Sequence, residues 1–128
     1  MVNKLSLFPN RDLEFPDRDK KGRLLGALAI PAHTMEAVDN YFLKGYQSGG
    51  FLTHVLTNNL YGAVNSADYA NKHIIYELVK WLVTEAEVPS ASWGCEENVK
   101  DWVDDVNNIR TKWVDKIEKK YIWETLKA

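Results

Sequence analysis

Chemistry in this chain would have to be built from three histidines, one cysteine and scattered carboxylates. His33, His54 and His73 stand far apart, and no pair has the i, i+4 spacing that puts two imidazoles on one helix face for a metal ion. Cys95 is alone, so one chain can close neither a disulfide nor a cysteine-based zinc site. A cysteine at a helix start can be a nucleophile, but Glu96 and Glu97 follow it directly and disfavour a thiolate, which favours a plain cap-adjacent residue. The glycines from Gly45 to Gly50 lack both the phosphate-loop Lys-Ser/Thr and a dinucleotide fingerprint; Gly49-Gly50 reads as a turn between helices. These residues predict no catalytic site, no metal and no cofactor.

Two groups remain as binding candidates. Asn58, Asn59, Asp68 and Asn71 are the densest polar set within the apolar middle of the chain, and amides with a carboxylate can line a ligand pocket. The same residue types cap and connect short helices, and that reading is favoured. Near the C-terminus, Trp113, Lys116, Lys119, Lys120, Tyr121 and Trp123 combine aromatic and basic side chains. Such a set can anchor a protein partner, or bind nucleic acid through phosphate contacts and stacking; helical spacing also makes the lysines a solvated flank.

The elements that must position these groups are mostly helical. His33 to Gly45 carries an apolar face of Met35, Val38, Tyr41 and Phe42, with Thr34 as cap and Gly45 as stop. A second helix over Phe51 to Val64 is expected to bend or end near Asn58-Asn59 or Gly62. A third, capped by Ser66 or Asp68, runs to about Glu87 on a face of Ile74, Ile75, Leu78, Trp81 and Leu82, before Pro89 stops the region. From Glu96 to Leu126 neither proline nor glycine occurs, acidic residues come early and basic ones late, and Val99, Trp102, Val106, Ile109, Trp113, Ile117 and Tyr121 share one face. The pattern predicts one helix over 96–127, about 45 Å long at ~1.5 Å per residue.

A domain of this size has a radius of gyration of only about 14 Å, so part of that row is expected to meet a second copy or a partner. A two-fold dimer is the first expectation because that symmetry is commonest. Residues 1–32 differ: short apolar runs punctuated by Pro9, Pro16 and Pro31 read as an arm, a small hairpin or a leader.

At 128 residues and 45% apolar content, the chain fits a single domain with a real core. The charge is −2 overall, and no third of the chain has the basic excess of a nucleic-acid footprint. No window approaches the ~20 apolar residues of a membrane span, and the absence of a signal-like start points to the cytoplasm. The expected architecture is mainly α: a small helical bundle with a long C-terminal helix and an irregular or short β N-terminal segment.

The run Ile30-Pro31-Ala-His-Thr-Met-Glu-Ala-Val-Asp-Asn-Tyr41, Gly45, Gly49-Gly50-Phe51-Leu52, Val55-Leu56, Asn58-Asn59-Leu60, Ala67-Asp68 with Asn71, and Trp93-Gly94 leading to Trp102 resembles a group of small bacteriophage and prophage proteins. About 70 residues are covered. Two departures stand out: Cys95-Glu96 replaces the Ser-Pro common after Trp-Gly in the group, and this chain continues for about 25 residues beyond Trp102, where the group tends to end. The resemblance implies a viral accessory protein and no mechanism. Taken with the small helical body, the lack of catalytic constellations and the long aromatic helix, it leads to the expectation of a non-catalytic protein that binds a host macromolecule, a host protein first, such as an inhibitor of a bacterial defence system of the CRISPR kind. Alternatives are a protein sequestering a nucleotide signal and a nucleic-acid-binding module.

Overall fold

The computed structural model describes residues 5–8, 18, 20–21, 24 and 29–127, with side chains described as far as residue 120. The described chain is mainly helical: α1 (Ala32–Lys44), α2 (Gly50–Leu56), α3 (Leu60–Ser66), α4 (Ile75–Thr84), α5 (Glu96–Val103) and α6 (Ile109–Lys127), with single 3-10 turns at Asn71–His73, Ser90–Ser92 and Val106–Asn108.

Helix α1 begins one turn earlier than a Thr34 cap would place it. Pro31 occupies the N-cap at φ −58°, and its carbonyl accepts from the N–H groups of Thr34 and Met35. Thr34 is instead buried, its hydroxyl turned to Asn71. Gly45 does end the helix, in the left-handed region at φ 69°, with its N–H on the Tyr41 carbonyl and the Tyr46 N–H on Asn40. A Cβ at 45 would also meet the Arg110 guanidinium, which would have to shift to admit it.

The second predicted helix divides where its sequence indicated. Asn58, at φ 62°, makes the turn between α2 and α3, and the Asn59 side chain accepts from the Gly62 N–H at 3.0 Å as the N-cap of α3. The third begins later than expected. Neither Ser66 nor Asp68 caps it: α4 follows Ile74 without a side-chain cap, the Asp68 carboxylate accepts instead from the Asn71 N–H at 2.7 Å in the turn ahead, and α4 stops at Thr84.

The largest departure is at the C-terminus. The single helix expected over 96–127 is two helices, α5 and α6, joined by a bend at which Asp105, Asn107 and Asn108 have φ of 53°, 54° and 60°. Asp and Asn accept left-handed backbone better than other side-chain-bearing residues, which lets the bend exist without glycine. It is closed on both sides. The Asp105 carboxylate accepts from the N–H groups of Arg110 and Thr111 and from the Thr111 hydroxyl, while Arg110 donates to the Trp102 and Val103 carbonyls at the end of α5.

Those helices surround an aromatic core. Tyr41, Phe42, Leu56, Leu78 and Trp102 are essentially inaccessible. Phe42 packs edge-on against both Tyr41 and Trp102, and Trp113 of α6 meets Trp102 at 5.5 Å between ring centres. The buried polar tips are satisfied: the Trp102 indole donates to the Tyr41 carbonyl at 3.2 Å, and the Tyr41 hydroxyl donates to the Ser92 carbonyl at 2.6 Å. Of residues 1–32, Leu5–Phe8 dock on the bundle. The Ser6 hydroxyl and Leu7 N–H donate to Asp39, and Phe8 stacks on Trp81 at 4.3 Å. Arg18 and Leu24 form an isolated antiparallel bridge; most of the remaining arm lies outside the described residues.

Candidate functional site

The polar group of the middle region does not converge on one pocket. Its four members serve two separate turns. Asn71 is buried: its Oδ1 accepts from the Thr34 hydroxyl at 2.6 Å, which leaves its Nδ2 facing His33 Nε2 at 3.4 Å. The same His33 nitrogen lies 3.1 Å from Asp68 Oδ2. The nitrogen can either donate to the carboxylate or accept from the amide, and the carboxylate's charge favours donation. Hydrogen bonding from the Asn71 N–H, helped by His33, holds the Asp68 carboxyl below the usual carboxylate range.

Asn59 takes part in a different constellation. Because its Oδ1 is committed to the Gly62 N–H, its Nδ2 is the atom that faces His54 Nδ1, 3.1 Å away. An amide nitrogen donates, so His54 Nδ1 accepts and the ring proton resides on Nε2. The imidazole lies flat on Gly62, where a Cβ would come within 2.5 Å of Nδ1; only glycine leaves room for it. A helix cap thus fixes both the tautomer and the position of a histidine.

His54 and Asn59 line a half-open cleft of about 560 Å³ between the α1–α2 side of the bundle and α5. Glu96, Lys100 and Asp104 supply its opposite wall at i, i+4, i+8 spacing, with Val99 and Val103 between them; Thr53, Thr57 and Tyr41 complete much of the rest. The Tyr41 phenol is no acid–base group here, since burial raises its pKa well above the ordinary value and its proton is held by Ser92. The cleft offers donors from His54 and Lys100 and acceptors from Glu96 and Asp104, the equipment for holding a small polar molecule. Of the four sequence-selected amides and acid, Asn59 alone lines it. His54 and the α5 charges escaped sequence reasoning because their proximity is purely tertiary.

The C-terminal set is distributed along α6. Trp113 is half-buried against Trp102 and belongs to the edge of the core. Lys116 and Lys119 are exposed, and Lys120 lies 3.7 Å from Glu87 in a pair so open to water that it contributes little. Tyr121 and Trp123 lie on the α6 backbone, their side chains outside the described residues.

A more exposed apolar surface occurs elsewhere. Helix α3 turns Gly62 and Ala63 inward and projects Leu60, Tyr61 and Val64, which are 67%, 84% and 57% exposed. Tyr69 and Tyr76 are exposed as well, with Lys72 and Lys80 set against their respective rings. In the sequence Leu60 and Val64 continue the apolar i, i+4 spacing of Phe51, Leu52, Val55 and Leu56. The break at Asn58-Asn59 rotates them outward.

Among the described residues, no cluster of three or more His, Cys, Asp or Glu is arranged to hold a metal ion, and no helix is long and apolar enough to cross a membrane. Compared with known proteins, the chain matches no family model, no curated protein and no solved structure.

Proposed function

We propose that this is a non-catalytic binding protein that docks a host protein through the outer face of α3. The observation that carries the reading is the exposure of Leu60, Tyr61 and Val64 on a helix of seven residues. Large apolar side chains gain free energy when a partner removes them from water, and tyrosine is enriched among residues that dominate binding. The resemblance of residues 30–102 to bacteriophage and prophage proteins makes a component of the bacterial host the natural partner, with a defence system such as CRISPR as the target class.

The test compares wild type with Tyr61→Glu/Val64→Glu as bait in bacterial lysate treated with nuclease. Both positions are exposed, so the variant should keep its helical circular dichroism while losing the captured protein. Equal capture by both baits would sink the α3 reading. Capture that survives nuclease omission only, and collapses between low and moderate salt, would transfer the role to nucleic-acid binding by the α6 lysines.

The cleft supports a second reading, sequestration of a small nucleotide signal, on the strength of the pre-set Nε2–H of His54. A nucleotide should then raise the melting temperature of wild type but not of His54→Leu. An equal shift in both proteins would remove His54 from the site.

A further inference from the structure

We infer that the bend between α5 and α6 is a hinge through which two copies of this chain exchange their C-terminal helices. The inference stands apart from what α3 binds. Its starting point is a conflict between the sequence pattern and the observed backbone. Val99, Trp102, Val106, Ile109, Trp113 and Ile117 form one apolar row only if residues 96–127 are a continuous helix. In the bent chain the row is interrupted at its centre: Val106 is 41% exposed, whereas Val99, Trp102, Ile109, Trp113 and Ile117 are all at least partly covered.

The backbone at the interruption is held in a conformation that helices avoid. Asp105, Asn107 and Asn108 are all left-handed, and each would gain by returning to right-handed helix. Straightening is opposed by the Asp105 and Arg110 hydrogen bonds that close the bend and by the docking of α6 on its own body. Trp113 covers Trp102 at 5.5 Å, and the Arg110 guanidinium sits over Gly45. In a continuous helix Trp102 and Trp113 would be about 16 Å apart along the axis, so one chain cannot be straight and keep that contact.

Two chains can. If both straighten, Trp113 of the partner subunit takes the place on Trp102 that the chain's own Trp113 has left. The Trp102 and Val103 carbonyls that now accept from Arg110 receive intrahelical N–H donors instead. Val106 rejoins the row at the centre of the seam between the two long helices. The exchange restores the Trp113–Trp102 contact between chains, removes left-handed backbone from both and covers a side chain that the monomer leaves exposed, at the loss of the Asp105 and Arg110 bonds that close the bend. Short hinges under strain are where such exchange is expected.

The discriminating variants are Asn107→Ala/Asn108→Ala and Asn107→Gly/Asn108→Gly. Each removes the same two amides. Alanine favours continuous helix and disfavours the left-handed bend, whereas glycine does the reverse. In sedimentation equilibrium the alanine variant should dimerise about tenfold or more tightly than wild type, and the glycine variant more weakly. Circular dichroism before each run confirms that both are folded. An alanine variant that remains monomeric, or a shift of both variants in the same direction, overturns the hinge.

Geometry supplies the second measurement. Spin labels at Asp101→Cys and Lys116→Cys in a Cys95→Ser background, diluted into unlabelled protein, report one chain's bend. In the dimer fraction the backbone separation should be about 22 Å, the span of a continuous helix, and it should be shorter in the monomer. A dimer that keeps the monomer's distance would be an ordinary face-to-face pair and would refute exchange.

Discussion

Trp102 and Asp105 stand three residues apart, on either side of the end of α5, and different physics holds each in place. Around Trp102, stabilisation comes from burial: Phe42 and Trp113 pack on its ring, and its one polar atom is bonded to the Tyr41 carbonyl. Around Asp105, it comes from hydrogen bonds that a single carboxylate accepts at a bend open to water. Burial tolerates changes of pH and salt but not loss of volume. Carboxylate bonding has the opposite sensitivities. A core held by burial and a bend held by carboxylate bonds thus meet at the end of one helix.

Trp102→Ala should produce the largest effect in the molecule. It empties a fully buried indole site and orphans the cover that Trp113 supplies, a loss of about 3–5 kcal/mol. Urea unfolding followed by far-ultraviolet circular dichroism measures it. A cost below about 1 kcal/mol, within the range of ordinary surface substitutions, would mean that the core is not organised around this ring and would erase the contrast with the bend.

Thr34 and Asn71 sharpen the comparison from the middle ground, since theirs is a hydrogen bond like those of Asp105 but buried like Trp102. Asn71→Ala leaves the Thr34 hydroxyl without its acceptor and should cost about 1–3 kcal/mol. The double variant with Thr34→Val removes both partners and should recover part of the loss. If Thr34→Val gives nothing back in the Asn71→Ala background, the pair is not coupled, and the role of Asn71 lies in the turn before α4 alone.

What the sequence disclosed follows the range of the forces involved. Gly45 as a helix stop and the break at Asn58-Asn59 depend on neighbours within four residues, and their residue types announce them. Thr34 had the right type for a cap but is used by a residue 37 positions away, while Pro31 sets the helix start. The α5–α6 bend was hidden for a different reason: the apolar row keeps helical period straight through it, and its only local marks are Asp105, Asn107 and Asn108. The folding back of Trp113 onto Trp102 fixes the outcome. The cleft was equally illegible, because His54 and the Glu96–Lys100–Asp104 face line it together only in the folded chain, and no spacing rule anticipates that.

The smallest predicted effect isolates the charge at the bend. Asp105→Asn keeps a side chain that accepts left-handed backbone and retains one acceptor oxygen, so it removes little but the ionised carboxylate. Bonds from Thr111 and from the Arg110 N–H hold the native Asp105 carboxyl below the usual range, with the Arg110 charge helping. A native pKa that lies below the unfolded value means that the folded state binds its proton more weakly, so ionisation favours folding. The contribution is complete above the unfolded pKa of ~3.9 and is lost as pH falls through the depressed native pKa. Asp68 titrates in the same direction, but it is common to both proteins and cancels in their difference. The melting temperature of wild type should therefore exceed that of Asp105→Asn near neutral pH, and the gap should narrow as pH falls below the unfolded value and through the depressed native pKa. A gap that stays constant across that range would assign the bend's stability to geometry, and the distinction from the Trp102 region would then rest on burial alone.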